Sequence, residues 1–192
     1  MTARLLLLTL ISVFVVSASE VYPYWIQPCP SHSACEPGDP QLAQWAFEAW
    51  QRESNGAIVF HKSPSEQHAR IRLRWADGSM SLYGETEPLT VDGKPGAVIY
   101  VLPSVALSIK GDRLMRDAIV YLTCVHETGH ALGLRHTAEF ADIMYSFQFG
   151  GDITEYFGRY RRKLTRREDI RKNSGMSLED KRRLLKALAP NG

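Results

Sequence analysis

Three cysteines in 192 residues are too few to build a disulfide-held fold, and their odd number leaves one unpaired on any scheme. A hydrophobic core must take that role, and 44% apolar content with 10% aromatics is enough for one ordinary domain. Charge of a single sign is lacking too. The net is +2, with no aromatic and basic platform, so a nucleic-acid role is not expected. Internal repeats and low-complexity tracts are absent. Beyond residue 18 no run is apolar enough to span a bilayer.

The one long apolar run lies at the start. Arg4 is followed by Leu5 to Val16 and then by Val16-Ser17-Ala18, the three-part pattern of a cleaved secretory signal over residues 1–18. The run is shorter than the roughly 20 residues a spanning helix needs, which disfavours the alternative of an uncleaved anchor. The expected product is secreted, extracellular or periplasmic, and begins near Ser19. Export permits a disulfide, and Cys29 and Cys35 sit close together in a proline-rich stretch, although the spacing alone leaves their pairing open. Cys124, in an apolar run, reads as a buried free thiol.

Residues 19–38, rich in Pro, Ser and Gly and without periodicity, read as an extended leader on the surface. From Gln41 to Glu53 the residues Leu42, Trp45, Ala46, Ala49 and Trp50 recur at helical spacing, with Asp39 a candidate cap, Pro40 in the first turn and Asn55-Gly56 as the stop. Ala57 to Phe60 and Ala69 to Trp75 have strand character. In the second, Ile71, Leu73 and Trp75 alternate with Arg70, Arg72 and Arg74, which predicts a sheet with one wet face. Val91 to Gly96 reads as a loop leading into a β-branched strand at Ala97 to Leu102. Helical periodicity returns from Leu114 to Leu134. A last helix opens at Ser177-Leu178-Glu179-Asp180, with Ser177 as cap and Leu178, Leu184, Leu185 and Leu188 packing it down. This order makes an α+β fold: a mixed twisted sheet, a long central helix and a C-terminal helix.

The chemistry is concentrated in His126-Glu127-Thr128-Gly129-His130. Imidazoles four residues apart share one helix face and can bind a single zinc ion. Glu127 beside them is placed to take a proton from water as it attacks a polarised carbonyl. Gly133 can adopt the positive φ that ends the helix and swings His136 back toward the metal as a third ligand. Three neutral nitrogens leave a fourth position for water, the mark of a catalytic rather than a structural zinc site. The metal ligands are therefore His126, His130 and His136, and the catalytic base is Glu127.

Eight residues beyond His136 lies Ile143-Met144-Tyr145. An HExxHxxGxxH helix followed by such a methionine turn resembles the metzincin metallopeptidases, and within them the matrixins. The likeness covers about residues 39 to 188 and is strongest from Val125 to Tyr145. It implies a metzincin-like catalytic domain over 39–192, one catalytic zinc, and Met144 as an apolar floor beneath the metal that does not bind it. It also implies an extended polypeptide substrate laid along a strand, for which Gly96 to Leu102 is the candidate. Two features of the family are missing. Neither Cys29 nor Cys35 lies in the Pro-Arg-Cys-Gly context of the inhibitory propeptide, and the loop that holds structural calcium and a second zinc has no counterpart, so His61 and His68 read as ordinary polar residues. Tyr145 receives no catalytic role.

Charge is unevenly spread: residues 151–192 carry 12 Lys and Arg against 6 Asp and Glu, while residues 1–150 carry 11 against 15. The basic 159–172 segment is either a solvated helical face or a contact for acidic substrates or an anionic surface. The leading reading is a secreted zinc endopeptidase. Its rivals are a catalytically idle binding module on the same scaffold and a zinc amidohydrolase acting on a non-peptide amide.

Overall fold

A computed structural model describes residues 19–31, 33–78, 83–104 and 111–189, and the expected export signal over 1–18 lies outside them. Along the chain run β1 (Glu20–Ile26), α1 (Asp39–Glu53), β2 (Ile58–Lys62), β3 (Ile71–Trp75), β4 (Gly84–Val91), β5 (Lys94–Val101), α2 (Arg113–Ala131), α3 (Ile153–Arg161), α4 (Asp169–Lys172) and α5 (Leu178–Leu188). The five strands form one mixed sheet in the order β2-β1-β3-β5-β4. All neighbours are parallel except β4, which is antiparallel to β5.

Strand pleating explains which side of the sheet is covered. Tyr24, Ile71 and Ala97 are in register, as are Leu73 with Ile99 and Trp75 with Val101, so these side chains share one face. That face is buried under α1 and α2 in a single core. Arg72, Val98, Arg74 and Tyr100 share the opposite face. The alternation predicted for β3 is therefore observed, although its arginines lie down along the surface: Arg74 pairs with Glu66, and Arg72 donates to the Ala69 and Gln67 carbonyls.

The expected leader lies largely at the surface, with Tyr24 its one buried residue among those described, but it is not irregular throughout. Residues 20–26 form β1, bonded to β2 on one side and β3 on the other. Its sequence Glu-Val-Tyr-Pro-Tyr-Trp-Ile shows no alternation of apolar and polar residues, only Tyr24 of it is buried, and Pro23 in its middle reads as a turn signal. Beyond it the Cys29–Cys35 disulfide closes a short loop, and Cys124 is free and buried.

A second strand also escaped the pattern. The loop predicted at Val91 to Gly96 is a two-residue hairpin, with Asp92 and Gly93 both at positive φ (50° and 74°), the backbone of a type I′ turn. The turn folds β4 back along β5 over its whole length, from Gly84 opposite Val101 to Val91 opposite Lys94. β5 consequently has β3 on one side and β4 on the other. Gly96 to Leu102 therefore cannot be the strand a substrate pairs with, because its main-chain groups are already taken. The free edge belongs to β4, which has no further strand beside it among the described residues.

The helices follow the sequence more closely. α1 ends at Glu53 with Ser54 as its C-cap, and Asn55 and Gly56, both at positive φ (52° and 82°), turn the chain away from the helix. Ser177 caps α5 by accepting from the Glu179 and Asp180 amides, and Asp180 accepts in return from the Ser177 amide. Of the four leucines assigned to pack α5, Leu184 is fully buried and Leu188 partly so, while Leu178 and Leu185 are exposed (73% and 37%) and do not pack it down. Asp39 is not the cap of α1, since Gly38 takes that position. Its carboxylate is wholly buried in a bidentate pair with Arg116 of α2, and it also accepts from the Glu36 amide. Arg116 is itself buried, so the pair clamps the start of α1 to α2 inside the protein. Removing Asp39 leaves the buried Arg116 with only its longer ion pairs to Glu36 (3.4 Å) and Asp117 (3.6 Å), which places the cost at the lower end of the range for breaking a buried pair, about 3 kcal/mol. Asp39→Ala is accordingly expected to destabilise the fold by about that amount, read as a fall in the urea midpoint.

Candidate active site

Helix α2 carries the site through the core. Asp112 caps it by accepting from the Met115 amide (2.9 Å), and the Trp50 indole of α1 donates to the Val125 carbonyl (2.8 Å), one residue before His126. The helix stops in a Schellman arrangement: Gly133 has φ 88°, its amide donates to the His130 carbonyl, and the Leu134 amide donates to the Gly129 carbonyl. The chain then turns back and brings His136 to the two helical histidines.

The three rings meet through Nε2. His136 Nε2 lies 3.2 Å from that of His126 and 3.1 Å from that of His130. On the two helical histidines the other ring nitrogen is committed: His126 Nδ1 is 2.7 Å from the Ile143 carbonyl and His130 Nδ1 is 2.9 Å from the Leu134 carbonyl. A carbonyl only accepts, so each Nδ1 carries the proton and each Nε2 turns its lone pair inward. Burial lowers all three imidazoles below their ordinary value, His126 to about 3, which keeps them neutral. Zinc bonds of about 2.0–2.1 Å in a tetrahedron place their nitrogens roughly 3.3 Å apart, close to what is found. The donor set and its spacing fit one zinc ion. Among the described residues this is the one group of His, Cys, Asp or Glu side chains so arranged.

Glu127 is buried beside the cluster and lines the same cavity of about 700 Å³. Its Oε2 accepts from the Thr86 hydroxyl of β4 at 2.7 Å. Burial pushes its carboxyl up to about 7, against the opposing effect of that hydrogen bond. A cation held by the histidines acts the other way and favours the ionised form. Beyond the histidines the cavity is walled by Tyr83, Leu122, Phe147, Tyr156 and Phe157, giving it a mostly apolar lining.

Met144 is fully buried and packs on α2 at Gly129. A Cβ on Gly129 would lie 2.4 Å from the Met144 sulfur and 3.1 Å from the Trp50 ring, so the glycine between the two helical histidines is what admits the methionine. The turn around it is tied down from two sides. Asp180 of α5 accepts from the Ile143 amide (2.7 Å), while Thr137, next to His136, exchanges backbone hydrogen bonds with Met144 and Ser146. Asp142 accepts from Thr137 (2.9 Å), Ser177 (2.6 Å) and Arg183. Tyr145 turns its hydroxyl to the Gly150 carbonyl (2.6 Å), consistent with leaving it out of the chemistry.

The arginines of 159–172 mostly face partners within the domain. Arg159 lies over the Phe140 and Tyr156 rings, Arg161 pairs with Asp112, Arg162 with Glu155 and Arg167 with Asp117. Thr86 and Asp142 were not singled out by motif, and Asp180 was read only as an acid at the start of α5. Their roles depend on contacts between distant parts of the chain, which no local pattern records.

Comparison with known families gives one match: the family model described as Matrixin covers residues 24–152, about two-thirds of the chain. No curated protein matches it.

The loop that carries His136 depends on Asp142, and this makes it sensitive to acid. Burial raises the Asp142 carboxyl, but hydrogen bonds from Ser177, Arg183 and Thr137 outweigh it and hold the group below its usual value of 3.8. A folded-state pKa below the unfolded one means that this contribution to stability is complete above about pH 4 and is lost as pH falls through the folded value. The urea midpoint of the protein should therefore drop on acidification below about pH 4. Asp142→Asn should start lower and lose less over the same range, and the difference between the two profiles removes any zinc release common to both.

Proposed function

The chain belongs to the matrixin family and carries a zinc metallopeptidase domain, and from that premise we propose that it is a secreted endopeptidase in which Glu127 activates water against the peptide carbonyl. The observation that carries the reading is the convergence of three neutral Nε2 atoms with a buried carboxylate on one cavity. When bound, zinc supplies Lewis acidity that polarises a scissile carbonyl and acidifies water. Glu127 removes the proton as the water oxygen bonds to the carbonyl carbon. It then returns that proton to the departing amine nitrogen as the carbon–nitrogen bond breaks.

The substrate main chain runs along the free edge of β4, and main-chain pairing there reads backbone rather than sequence. Selectivity comes from the cavity, whose aromatic walls at Phe147, Tyr156 and Phe157 suit a large apolar side chain. Secretion is supported by the apolar run at residues 5–16 and by the Cys29–Cys35 disulfide, which an oxidising compartment allows to persist. No helix among the described residues is long and apolar enough to cross a membrane.

The two rival readings meet specific difficulties. An idle binding module has no need of a buried base aimed at a metal cavity. An amidohydrolase for a small amide has no need of an open strand edge beside that cavity. The test is hydrolysis of a denatured protein by the purified mature chain. Cleavage should stop with a metal chelator and return with zinc. Glu127→Gln should retain about one zinc per chain yet lose hydrolysis by about 10²–10⁴-fold, the usual contribution of a general base. Undiminished cleavage by that variant would rule out the mechanism, and failure of the wild type to cut any protein would favour the rivals.

A further inference from the structure

Thr86 does not belong to the zinc motif, yet it makes the closest polar contact to Glu127. Its Oγ1 lies 2.7 Å from Oε2 of the carboxylate and 3.1 Å from the Glu127 main-chain oxygen. A hydroxyl has one proton to donate. The carboxylate takes it, being both nearer and charged, and charge-assisted bonds of this kind are shorter and stronger than neutral ones. Two residues earlier, Gly84 meets the other side of the same group. A Cβ built there would sit 2.7 Å from Cγ and 2.9 Å from Oε1 of Glu127, so only bare backbone leaves the carboxylate its place.

Strand pleating makes these contacts a pair. Residues i and i+2 of a strand face the same side, so Gly84 and Thr86 both face α2 while Glu85 between them is exposed. The two positions constrain different atoms of one carboxylate. Thr86 ties down Oε2 and Gly84 makes room for Oε1.

We infer that Thr86 is a positioning residue for the general base: its hydroxyl holds Oε2 so that Oε1 is the oxygen left to take the proton from water, with Gly84 providing the space. The inference rests on the reading of Glu127 as the base. It also gives β4 two tasks, since the strand whose outer edge is open to a substrate main chain orients the base from its inner face. Rotation of an unrestrained glutamate displaces the proton acceptor by an ångström or more, and misplacement of that size costs up to about 100-fold in rate.

The test compares zinc-loaded wild type with Thr86→Val and Thr86→Ser on an internally quenched peptide that carries a large apolar residue after the scissile bond. Valine keeps the shape and the strand preference and removes only the donor. The expected result for Thr86→Val is a kcat lower by about 10- to 100-fold, with KM, zinc content and Tm unchanged. Serine should restore most of the rate. Added to Glu127→Gln, the valine change should slow the residual reaction no further, because the group it orients is already gone. Wild-type kcat in Thr86→Val, with Glu127→Gln inactive, would overturn the positioning role and leave the base intact. A kcat loss that comes with lost zinc or lowered Tm, or that serine does not repair, would overturn it in favour of a structural role. Full activity of Glu127→Gln would overturn the base itself and this inference with it.

Discussion

The end of helix α2 is the constraint on which the site depends. At 3.6 residues per turn, a helix continued past Leu132 would place His136 roughly 240° around the axis from His130, turned away from the metal position. Gly133 at φ 88° breaks the helix, and the two Schellman hydrogen bonds satisfy the carbonyls that the break exposes. The reversed segment then needs an anchor of its own, and this comes from the far end of the chain. Asp180 of α5 holds the Ile143 and Met144 amides, the Ile143 carbonyl orients His126, and Thr137 joins His136 to the same turn. A three-histidine site thus rests on a glycine between its second and third ligands and an aspartate 44 positions beyond the third.

What could be read in the sequence was whatever is written locally. The helix face of His126 and His130, the breaker at Gly133 and the Ser177 capping box are patterns within a few residues, and each appears where expected. β1 was lost because Tyr22, Tyr24, Trp25 and Ile26 fall on both sides of the strand, leaving no alternation to read, and Pro23 imitates a turn. β4 was lost for the opposite reason. Gly-Glu-Thr-Glu-Pro-Leu-Thr-Val is too polar and too interrupted to resemble a core strand, as suits an edge, where proline and charge discourage pairing with stray chains. The Asp92-Gly93 hairpin signal was present in the sequence, and taking it as a loop moved the proposed substrate edge one strand inward.

Uneven charge along the chain has an intramolecular explanation. Cations of the basic C-terminal part reach back to acids of the first 150 residues: Arg161 to Asp112, Arg167 to Asp117, Arg171 to Glu48, Lys181 to Glu53 and Arg183 to Asp142. The more exposed of these, such as Arg161–Asp112 and Arg171–Glu48, contribute only about 0–1 kcal/mol each, so their effect lies in alignment more than in stability, whereas Asp117 and Asp142 are buried acids whose pairing also stabilises the fold. Together the pairs lay α3, α4 and α5 across the core helices, and α5 in turn delivers Asp180 to the methionine turn. A sequence bias that could pass for a ligand surface is largely the imprint of an internal interface.

β4 differs from the other strands near the site in being paired on one side only among the described residues. A central strand such as β5 is held on both sides and has nothing left to offer a peptide. The edge strand keeps one row of main-chain groups free, and its period of two separates the tasks of successive residues. Positions 84 and 86 face inward onto Glu127 while positions 85 and 87 stay exposed. Side chains on the inner face therefore contact Glu127 without occupying the free edge. On the proposed reading, in which a peptide pairs with this edge and Glu127 is the base, binding and alignment of the carboxylate would draw on one strand.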